Sequence, residues 1–251
     1  MNETREIYER AAEEYKSLEL KRTSSFYHEY WVNELIKLAN INNEYRKILD
    51  YGCGSGIVMK CLNSILNESK LFIVGIDISK NMLKVAKEKN VGELMLGDVT
   101  NCGFKDKCFD VVISRGVLYL LDNKDNAIKE VNRILKDGGI FVISEPNDNI
   151  FLRIIRKLLR FKKDRFGKYQ GLQKSNLKEI LHNNNFLISG ERYFGYLAFS
   201  CAFPEIFPIH IPLFIIKVLI KLDSIISKIP YVNKIGWHFI IVAKKVKYIV
   251  T

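Results

Sequence analysis

The amino-acid sequence predicts an α/β fold, in which a mostly parallel sheet carries helices on both faces. Short apolar runs alternate with amphipathic stretches over the first 145 residues, and the first apolar run leads into three closely spaced glycines. A chain of 251 residues, 48% hydrophobic and 27% charged, has the size and composition of one folded domain. These values exclude a disordered or collagen-like chain, and we expect a single domain over residues 1–251.

The predicted elements follow one another in a regular order. Residues 1–40 form an N-terminal helical cap, where the helical pattern Thr4–Ala39 is expected to break near Thr23–Ser24. The core, residues 41–147, alternates strands and helices. Its predicted strands are Arg46–Tyr51, Leu71–Ile78, Glu93–Leu96, Phe109–Ser114 and Gly139–Ser144. Its predicted helices are Val58–Leu66, Lys80–Asn90 and Lys124–Leu135, the last with Gly138 and Gly139 as its stop signal.

Residues 148–251 are expected to form the side of the domain that meets the substrate. A basic amphipathic helix is predicted at Phe151–Lys163, a helix starting near Ser175 at Ser175–Asn183, and a strand at Phe186–Phe194. An apolar helical insertion, residues 195–236, has a helix beginning at Pro212 and precedes the last strand, Trp237–Lys244. The insertion therefore separates the last two strands.

Cysteine usage and hydropathy indicate the compartment. The five cysteines are odd in number and include no C-x-x-C pair, and the four histidines lack metal-ligand spacing. We therefore expect reduced thiols and no metal site. No uninterrupted apolar stretch of about 18 residues is present, and the first 22 residues are too charged for a secretory signal. The sequence thus predicts a cytoplasmic protein, and it indicates no oligomeric state.

Positive charge is concentrated in the C-terminal part of the chain. The formal net charge is +11 overall, −2 for residues 1–150 and +13 for residues 151–251. Two predicted helices carry cationic stripes beside apolar surface; their stripe residues are Arg153, Arg156, Lys157 and Arg160, and Lys217, Lys221, Ser224 and Lys228. Such helices are typical of segments in the membrane interface, so we predict peripheral association with an anionic membrane surface. A solvated basic face and a buried lid over the site are the alternatives. RNA binding is disfavoured because few aromatic residues interleave with the charges.

The most informative segment runs from Asp50 through Gly52, Gly54 and Gly56 at the end of the first predicted strand. Alternate glycines allow a sharp turn against a ligand, and the following helix directs unpaired N–H groups towards it. A dinucleotide-binding turn needs its third glycine at position 57, which is Ile57, so a nicotinamide-dependent oxidoreductase is disfavoured. The segment instead matches the D-x-G-x-G-x-G motif of class I S-adenosylmethionine-dependent methyltransferases, which the chain resembles over residues 40–147.

This resemblance implies a Rossmann-like methyltransferase fold with seven strands, and S-adenosyl-L-methionine as the cofactor. It implies that Asp77 accepts the ribose hydroxyls, that Asp98 binds the adenine amino group, and that the loop after the fourth strand lies beside the methionine part. Tyr15 stands in a Tyr-x-x-x-Ala-x-x-Tyr pattern similar to that of quinone and sterol methyltransferases, where the second aromatic residue closes over the cofactor. The implied cofactor-binding residues are Tyr15, Asp50, Gly52, Cys53, Gly54, Gly56, Asp77, Ile78, Asp98, Val99, Ser114, Arg115 and Gly116. The alternatives are that each acid caps the next helix and that Tyr15 belongs to a plain amphipathic cap helix.

Methyl transfer from a sulfonium requires alignment above all, and a general base only where the acceptor carries a proton. Candidates for such a base are His28, Glu145 and His210. The predicted function is methyl transfer to a small or lipid-like acceptor, at the membrane surface. An RNA methyltransferase and a catalytically silent cofactor-binding module are the alternatives. The absence of an Asn-Pro-Pro-Tyr motif after the fourth strand disfavours methylation of adenine amino groups in nucleic acid.

Overall fold

The computed structural model describes residues 2–42, 45, 47–66, 71–149, 152–154, 172–202 and 211–247. The strands are β1 Lys47–Tyr51, β2 Phe72–Asp77, β3 Glu93–Leu96, β4 Phe109–Arg115, β5 Leu135–Pro146, β6 Phe186–Phe194 and β7 His238–Lys245. The helices are α1 Asn2–Glu19, α2 Arg22–Ala39, α3 Ile57–Leu66, α4 Lys80–Glu88, α5 Lys124–Ile134, α6 Lys174–Asn183, α7 Ala198–Ala202 and α8 Leu213–Ile226. Short 3₁₀ helices occupy Val99–Asn101, Leu118–Leu120 and Val232–Ile235.

The strands form one seven-stranded sheet in the order β3-β2-β1-β4-β5-β7-β6. Strands β1 to β5 pair in parallel, whereas β7 runs antiparallel between β5 and β6. The strand order reverses between β1 and β4, and an open sheet of this kind binds its ligands outside the carboxyl ends of the strands at such a reversal. The predicted Rossmann-like, mostly parallel sheet is confirmed.

Apolar side chains cover both faces of the sheet. On one face α2 and α3 contribute Trp31, Leu35 and Leu62, and on the other α5 and α6 contribute Val131 and Leu181. All five are at most 5% exposed, and burial of each contributes about 1.5–3 kcal/mol. Outside these layers α1 packs on α4 through the small cluster Ala12, Met82 and Val85. The carboxyl ends of the strands therefore project from a rigid support.

Several boundaries differ from the sequence prediction, and strand β5 has the largest shift, since it begins at Leu135 instead of Gly139. The first two helices separate at Leu20 and Lys21 instead of at Thr23–Ser24, and the Ser24 hydroxyl, inside α2, donates to the Ala202 carbonyl (3.1 Å). Helix α5 ends at Ile134, before the glycines, because the N–H groups of Lys107 and Cys108 take the carbonyls of its last turn (2.9 and 2.8 Å). The sixth helix begins at Lys174, so Ser175 lies inside its first turn and does not cap it.

The insertion before the last strand contains α7 and α8, and α8 starts directly after Pro212 as predicted. Of the predicted basic helix Phe151–Lys163 only residues 152–154 are described, and they are helical. Arg156, Lys157, Arg160 and His210 lie outside the described residues. Within the described ranges, no helix is both long enough and apolar enough to cross a bilayer.

Candidate functional site

A cavity of about 380 Å³ opens at the carboxyl ends of β1, β2 and β4. Eleven of the thirteen predicted cofactor-binding residues line it. The predicted residues in its wall are Tyr15, Asp50, Gly52, Cys53, Gly54, Asp77, Ile78, Asp98, Val99, Arg115 and Gly116.

The other two predicted residues, Gly56 and Ser114, do not line the cavity. Gly56 packs towards Ala86 of α4, and Ser114 is fully buried in the sheet.

The glycine turn is tied to the end of β2. The N–H groups of Gly52 and Cys53 both donate to the Ile76 carbonyl at 2.9 Å. Gly52 has φ +76°, and a Cβ there would lie 2.4 Å from a methyl carbon of Val117, so the turn has no room for a side chain. Gly54 has φ +50°, and a Cβ there would meet no atom within 4 Å. The turn therefore presents open space at Gly54, on the cavity side.

Asp77 joins the glycine turn to the next helix. Its Oδ2 accepts from the Gly54 N–H and its Oδ1 from the Ser79 N–H, both at 2.8 Å. Burial raises the pKa of this carboxyl group, while the hydrogen bonds from Ser79 and Gly54 oppose the shift. A carboxylate offers about four lone-pair sites, so Asp77 keeps acceptor capacity towards the cavity.

Asp98 caps the 3₁₀ helix that follows β3. Its Oδ1 accepts from the N–H and from the hydroxyl of Thr100, both at 2.8 Å. The helix-capping alternative for this acid is thus present in the structure, and it leaves Asp98 and the adjacent Val99 in the cavity wall. The two roles are compatible, because the cap uses one carboxylate oxygen.

Asp50 lies at the end of β1 and is 1% exposed. Its Oδ2 accepts no hydrogen bond from the described residues, although a buried carboxylate oxygen normally has a partner. Burial raises the pKa of Asp50 to about 7; the Arg115 charge opposes this shift and the Asp77 charge adds to it. An unpartnered oxygen in a cavity wall marks a position where a ligand can donate.

Helix α1 covers the cavity with aromatic side chains. Tyr8 forms side-chain hydrogen bonds with Tyr15 and with Tyr119, and all three line the cavity. Burial raises the pKa of Tyr8 to about 12, so the hydroxyl groups of this cluster stay protonated near neutral pH. Only Tyr15 was among the predicted site residues; Tyr119 reaches the cavity from the loop after β4.

Carboxylates of α1 attach the helix to α4 and to the glycine turn. Glu9 accepts from the N–H groups of Lys80 and Asn81 (2.8 and 2.9 Å), at the start of α4. Glu19 accepts from the Ser55 hydroxyl and pairs with Lys89 at 2.8 Å. The aromatic cover is therefore held at both ends.

Arg115, at the end of β4, reaches the cavity between α2 and the sheet. One of its terminal nitrogens lies 3.0 Å from Nδ1 of His28, and its guanidinium carbon is 4.9 Å from the centre of the Trp31 ring. Burial, followed by the Arg115 charge, lowers the pKa of His28 well below its usual value. His28 is therefore neutral at physiological pH and accepts from Arg115.

The other two candidate bases are Glu145 and His210, and of these the structure describes only Glu145. Glu145 is fully buried and does not line the cavity. Its carboxylate accepts from the N–H groups of Val117, Leu118 and Tyr119 (3.1, 3.0 and 3.2 Å), so it fixes the loop that forms the cavity wall. Burial raises its pKa to about 7 against these hydrogen bonds. His210 lies outside the described residues.

The far end of the cavity has an aromatic wall that the sequence analysis missed. It is formed by Trp31, Phe199 and His238, with the His238 ring 4.3 Å from the Trp31 ring and 4.5 Å from the Phe199 ring. Trp31 donates from Nε1 to the Ser144 hydroxyl at 3.0 Å. Because β7 is antiparallel, its first residue lies beside the last residue of β5, and this pairing brings His238 to the edge where the parallel strands end. The sequence could have pointed to His238 through its place at the start of the last predicted strand.

Comparison with known proteins gives the family. Residues 49–143 match a family model described as a methyltransferase domain. The chain is 30% identical to the demethylmenaquinone methyltransferase of Staphylococcus epidermidis over 186 residues, which cover 71% of this chain and 76% of that protein. It is 38% identical over 118 residues to an uncharacterised protein of Methanocaldococcus jannaschii; that match covers 46% of this chain and 44% of the relative, less than half of its length.

A solved structure supports the fold independently. A SAM-dependent methyltransferase from Thermotoga maritima superposes with a TM-score of 0.65 over 96% of this chain and 99% of that one, at 20% identity. At this identity the likeness concerns the fold alone, whereas the sequence match to the Staphylococcus epidermidis enzyme extends over more than two thirds of both chains. The chain therefore belongs to the class I S-adenosylmethionine-dependent methyltransferases.

Proposed function

We propose that this protein transfers the methyl group of S-adenosyl-L-methionine to a small or lipid-like acceptor, and that it does so at a membrane surface. The observation that carries the proposal is the continuity of the cavity. One end is formed by the glycine turn and the strand-end acids, and the other by the aromatic wall of Trp31, Phe199 and His238. A cofactor and an apolar acceptor would thus meet inside one enclosed space.

The residues present fit this cofactor. The open space at Gly54 and the unpartnered Oδ2 of Asp50 are features that a bound cation-bearing ligand would use. Asp77 and Asp98 would hold the ribose hydroxyls and the adenine amino group, and Tyr15 would close over the nucleoside. The wider cofactor-binding set would include Gly52, Cys53, Gly56, Ile78, Val99, Ser114, Arg115 and Gly116, with Gly56 and Ser114 acting from behind the wall.

When bound, the cofactor supplies an electrophilic methyl group on a sulfonium. The protein would contribute alignment, for which well-oriented groups supply about 7–11 kcal/mol, and exclusion of water by α1. Glu145 would act by fixing the loop Val117–Tyr119, and His28 by orienting Arg115, so neither is placed to take a proton directly. The imidazole of His238 lies at the acceptor end of the cavity instead.

The acceptor class is supported by the wall and by the relatives. Trp31, Phe199 and Pro146 offer apolar surface at the far end, which suits an aromatic or isoprenoid-like ring more than a sugar or a nucleotide. The relative in Staphylococcus epidermidis is a demethylmenaquinone methyltransferase. We therefore propose that the acceptor is a hydrophobic ring compound.

The membrane part of the proposal is supported by helix α8. Its outer face exposes apolar side chains, with Phe214 68% and Ile225 58% exposed, and exposed Lys217 and Lys221 lie beside them. Asp223, the one acid in this helix, is 4% exposed, so the outer face of α8 carries positive charge alone. Apolar surface bordered by lysines is complementary to anionic lipid.

Asp223 also connects α8 to the cavity. Its carboxylate accepts from the N–H groups of Tyr196, Leu197 and Ala198 (3.1, 2.8 and 3.2 Å), at the start of α7. Phe199 of α7 stands in the cavity wall. A membrane-bound α8 would therefore lie next to the acceptor end of the site, where a lipid-like acceptor has to enter.

The test is a transfer assay with S-adenosylmethionine labelled on the methyl group. The protein is mixed separately with demethylmenaquinone reduced by dithionite, with a total lipid extract, and with total RNA, and the Gly54→Val variant serves as the control. Label in the organic phase, dependent on Gly54, supports the proposal. Label in the RNA would replace it with an RNA methyltransferase, and cofactor binding without transfer to any fraction would replace it with a silent cofactor-binding module.

A further inference from the structure

We propose that His238 is the catalytic base of this protein, and that its imidazole takes the proton that a hydroxyl-bearing ring acceptor loses during methyl transfer. The inference rests on the proposed function, because it places the acceptor at the aromatic end of the cavity. It goes beyond that function by assigning the proton to a residue of the last strand. Neither His28, which accepts from Arg115, nor Glu145, which holds the loop after β4, is placed to receive it.

The backbone at His238 is held on both sides. His238 is the first residue of β7, where it pairs with the last residue of β5 and the last residue of β6. The preceding residue is fixed as well, since the Trp237 N–H donates to the Gly195 carbonyl and the Trp237 carbonyl accepts from the Asn147 N–H, both at 2.8 Å. A functional group on a paired strand is positioned more precisely than one on a loop. The imidazole therefore starts from a rigid point of attachment.

Two aromatic rings position the imidazole itself. Its centre lies 4.3 Å from that of the Trp31 ring and 4.5 Å from that of the Phe199 ring, at interplanar angles of 61° and 70°. Trp31 is fixed in turn by its hydrogen bond to the Ser144 hydroxyl. His238 lines the cavity and is 8% exposed, so bulk water competes little with an acceptor for its ring nitrogens.

The other titratable groups of the described cavity wall lie elsewhere or are engaged. The acids and the thiol at the cofactor end are Asp50, Cys53, Asp77 and Asp98. The tyrosines beneath α1, whose hydroxyl groups stay protonated near neutral pH because burial raises their pKa, are Tyr8, Tyr15 and Tyr119. Glu19 pairs with Lys89. Among the described residues of the wall, His238 is thus the group at the acceptor end suited to accept a proton, and histidine is the side chain that most often does so near neutral pH.

The proton transfer keeps the total charge in the cavity constant. The acceptor hydroxyl gives its proton to a neutral nitrogen of His238, and the electron pair left behind makes the ring oxygen, or a ring carbon conjugated with it, nucleophilic. That atom forms a bond to the methyl carbon, while the electron pair of the methyl–sulfur bond remains on sulfur. A methylated ring carbon then gives up its hydrogen as a proton to the oxygen, which restores the aromatic ring. One positive charge is lost at the sulfonium and one appears on the imidazolium of His238.

The kinetic test compares His238→Gln with His182→Gln, the same change at an exposed histidine of α6. The labelled transfer assay is run with dithionite-reduced demethylmenaquinone and with a total lipid extract. In His238→Gln the transfer rate at saturating acceptor should fall about 100- to 10,000-fold, the usual contribution of a general base. His182→Gln should transfer at the parent rate.

Two binding measurements show whether the variant site is intact. Calorimetry with S-adenosylhomocysteine, the product form of the cofactor, should give the parent affinity in both variants. Oxidised demethylmenaquinone should quench tryptophan fluorescence over the same concentration range in the parent and in His238→Gln, because Trp31, one of the two tryptophans, lines the acceptor end.

Rescue by small molecules separates proton transfer from packing. His238→Ala removes the imidazole and leaves space in the wall for a ring of the same size. Added imidazole should raise the transfer rate of this variant and leave the parent rate unchanged. Pyrrole has the same ring size without a basic nitrogen, so it should not restore transfer.

The opposite results would overturn the inference. A parent rate in His238→Gln would show that the proton leaves by another route, and the role of His238 would be wrong while the proposed function stands. A lowered rate that imidazole and pyrrole restore equally, or that neither restores, would assign His238 to packing. If the parent protein transfers label to neither acceptor preparation, the proposed function fails, and the role of His238 fails with it.

Discussion

Asp50 is a residue whose charge should control cofactor affinity. Its pKa of about 7 lies well above the ordinary aspartate value, because burial outweighs the attraction of Arg115. A ligand ammonium group favours the ionised carboxylate, so affinity for S-adenosylhomocysteine should rise by up to about tenfold per pH unit below pH 7 and level off above it. Calorimetry between about pH 6 and pH 8 measures this rise.

A rise in pH has the opposite effect on folding stability, which falls as Asp50 ionises. An acid whose folded-state pKa is raised stabilises the unliganded protein below its unfolded pKa, and that contribution is lost as the pH rises through about 7. Glu145, whose pKa is also raised to about 7, titrates in the same range. Asp50→Asn therefore serves as the control: the affinity profile should become flat in this variant, and a flat profile in the parent protein would contradict the prediction.

Gly54 and Gly103 form a matched pair for testing the glycine turn. Both have positive φ (+50° and +67°), and a Cβ would meet no atom within 4 Å at either position. A valine at either site should therefore cost a similar amount of stability from backbone strain, about 1–2 kcal/mol. Gly54→Val should abolish binding of S-adenosylhomocysteine because its side chain occupies the cavity, whereas Gly103→Val should retain it. Thermal unfolding and calorimetry of both variants provide the measurements, and normal binding by Gly54→Val would rule out the turn as the cofactor site.

The residues of the candidate site differ in whether the neighbouring sequence is enough to predict them. Gly52, Gly54 and Asp50 could be predicted because the turn after β1 is built from consecutive residues whose types are dictated by backbone geometry. Trp31 and His238 could not, because their meeting depends on the antiparallel insertion of β7 beside β5, and pairing partners in a sheet are not fixed by local sequence.

Helix α1 is an element whose position depends on a small number of polar contacts. Its apolar contact with α4 is limited to the cluster around Ala12, so the Glu9 cap on Lys80 and Asn81 carries a large share of the attachment. Loss of a helix cap costs about 1 kcal/mol. Glu9→Ala should therefore increase hydrogen exchange in α1 about fivefold and weaken S-adenosylhomocysteine binding.

The matched control for this variant is Glu6→Ala, one turn earlier on the same helix, where the side chain is exposed. Exchange measured by mass spectrometry over residues 2–19 should be unchanged in Glu6→Ala and should return towards parent values in Glu9→Ala when ligand is added. Equal exchange in the two variants would show that α1 is held by its apolar contacts instead.

Element boundaries show where sequence reasoning succeeds and where it stops. The strands β1 to β4 and the helices between them follow from local periodicity, and they lie close to their predicted positions. The end of α5 could not be predicted in this way, because the N–H groups of Lys107 and Cys108, in the loop before β4, donate to its last carbonyls, those of Arg133 and Ile134. The start of β5 at Leu135 is likewise fixed by pairing with Phe109.

On the scale of the whole molecule, the excess positive charge and the exposed apolar side chains of α8 occur in the same part of the chain. The excess positive charge lies beyond residue 150, and the exposed apolar side chains of α8 lie in the same part of the chain. The two sides of α8 differ in exposure: Ile216 and Asp223 are buried, while Phe214, Val218 and Ile225 face solvent. One side of α8 thus belongs to the fold, and the other is available to a membrane.

Vesicle co-sedimentation tests this arrangement. The protein should sediment with phosphatidylserine-containing liposomes at low salt and less at high salt, because salt screens the lysines. With about 1 kcal/mol for each lysine near an anionic surface, changing Lys217, Lys221 and Lys228 together to Gln should weaken binding about 100-fold. The same change at Lys60, Lys84 and Lys87, exposed lysines of α3 and α4, removes equal charge and should have a much smaller effect.

The apolar share of membrane binding is separable from the charge. Phe214→Ser and Ile225→Ser should weaken binding to neutral and anionic vesicles alike, since burial of a large apolar side chain contributes about 1.5–3 kcal/mol whatever the lipid charge. Leu187→Ser, at an exposed leucine of β6 that is 61% exposed, is the matched control and should bind as the parent does. If the parent protein stays in the supernatant with both vesicle types at low salt, the membrane proposal is wrong. The outer face of α8 would then need another partner, because water alone leaves its apolar side chains exposed at a cost.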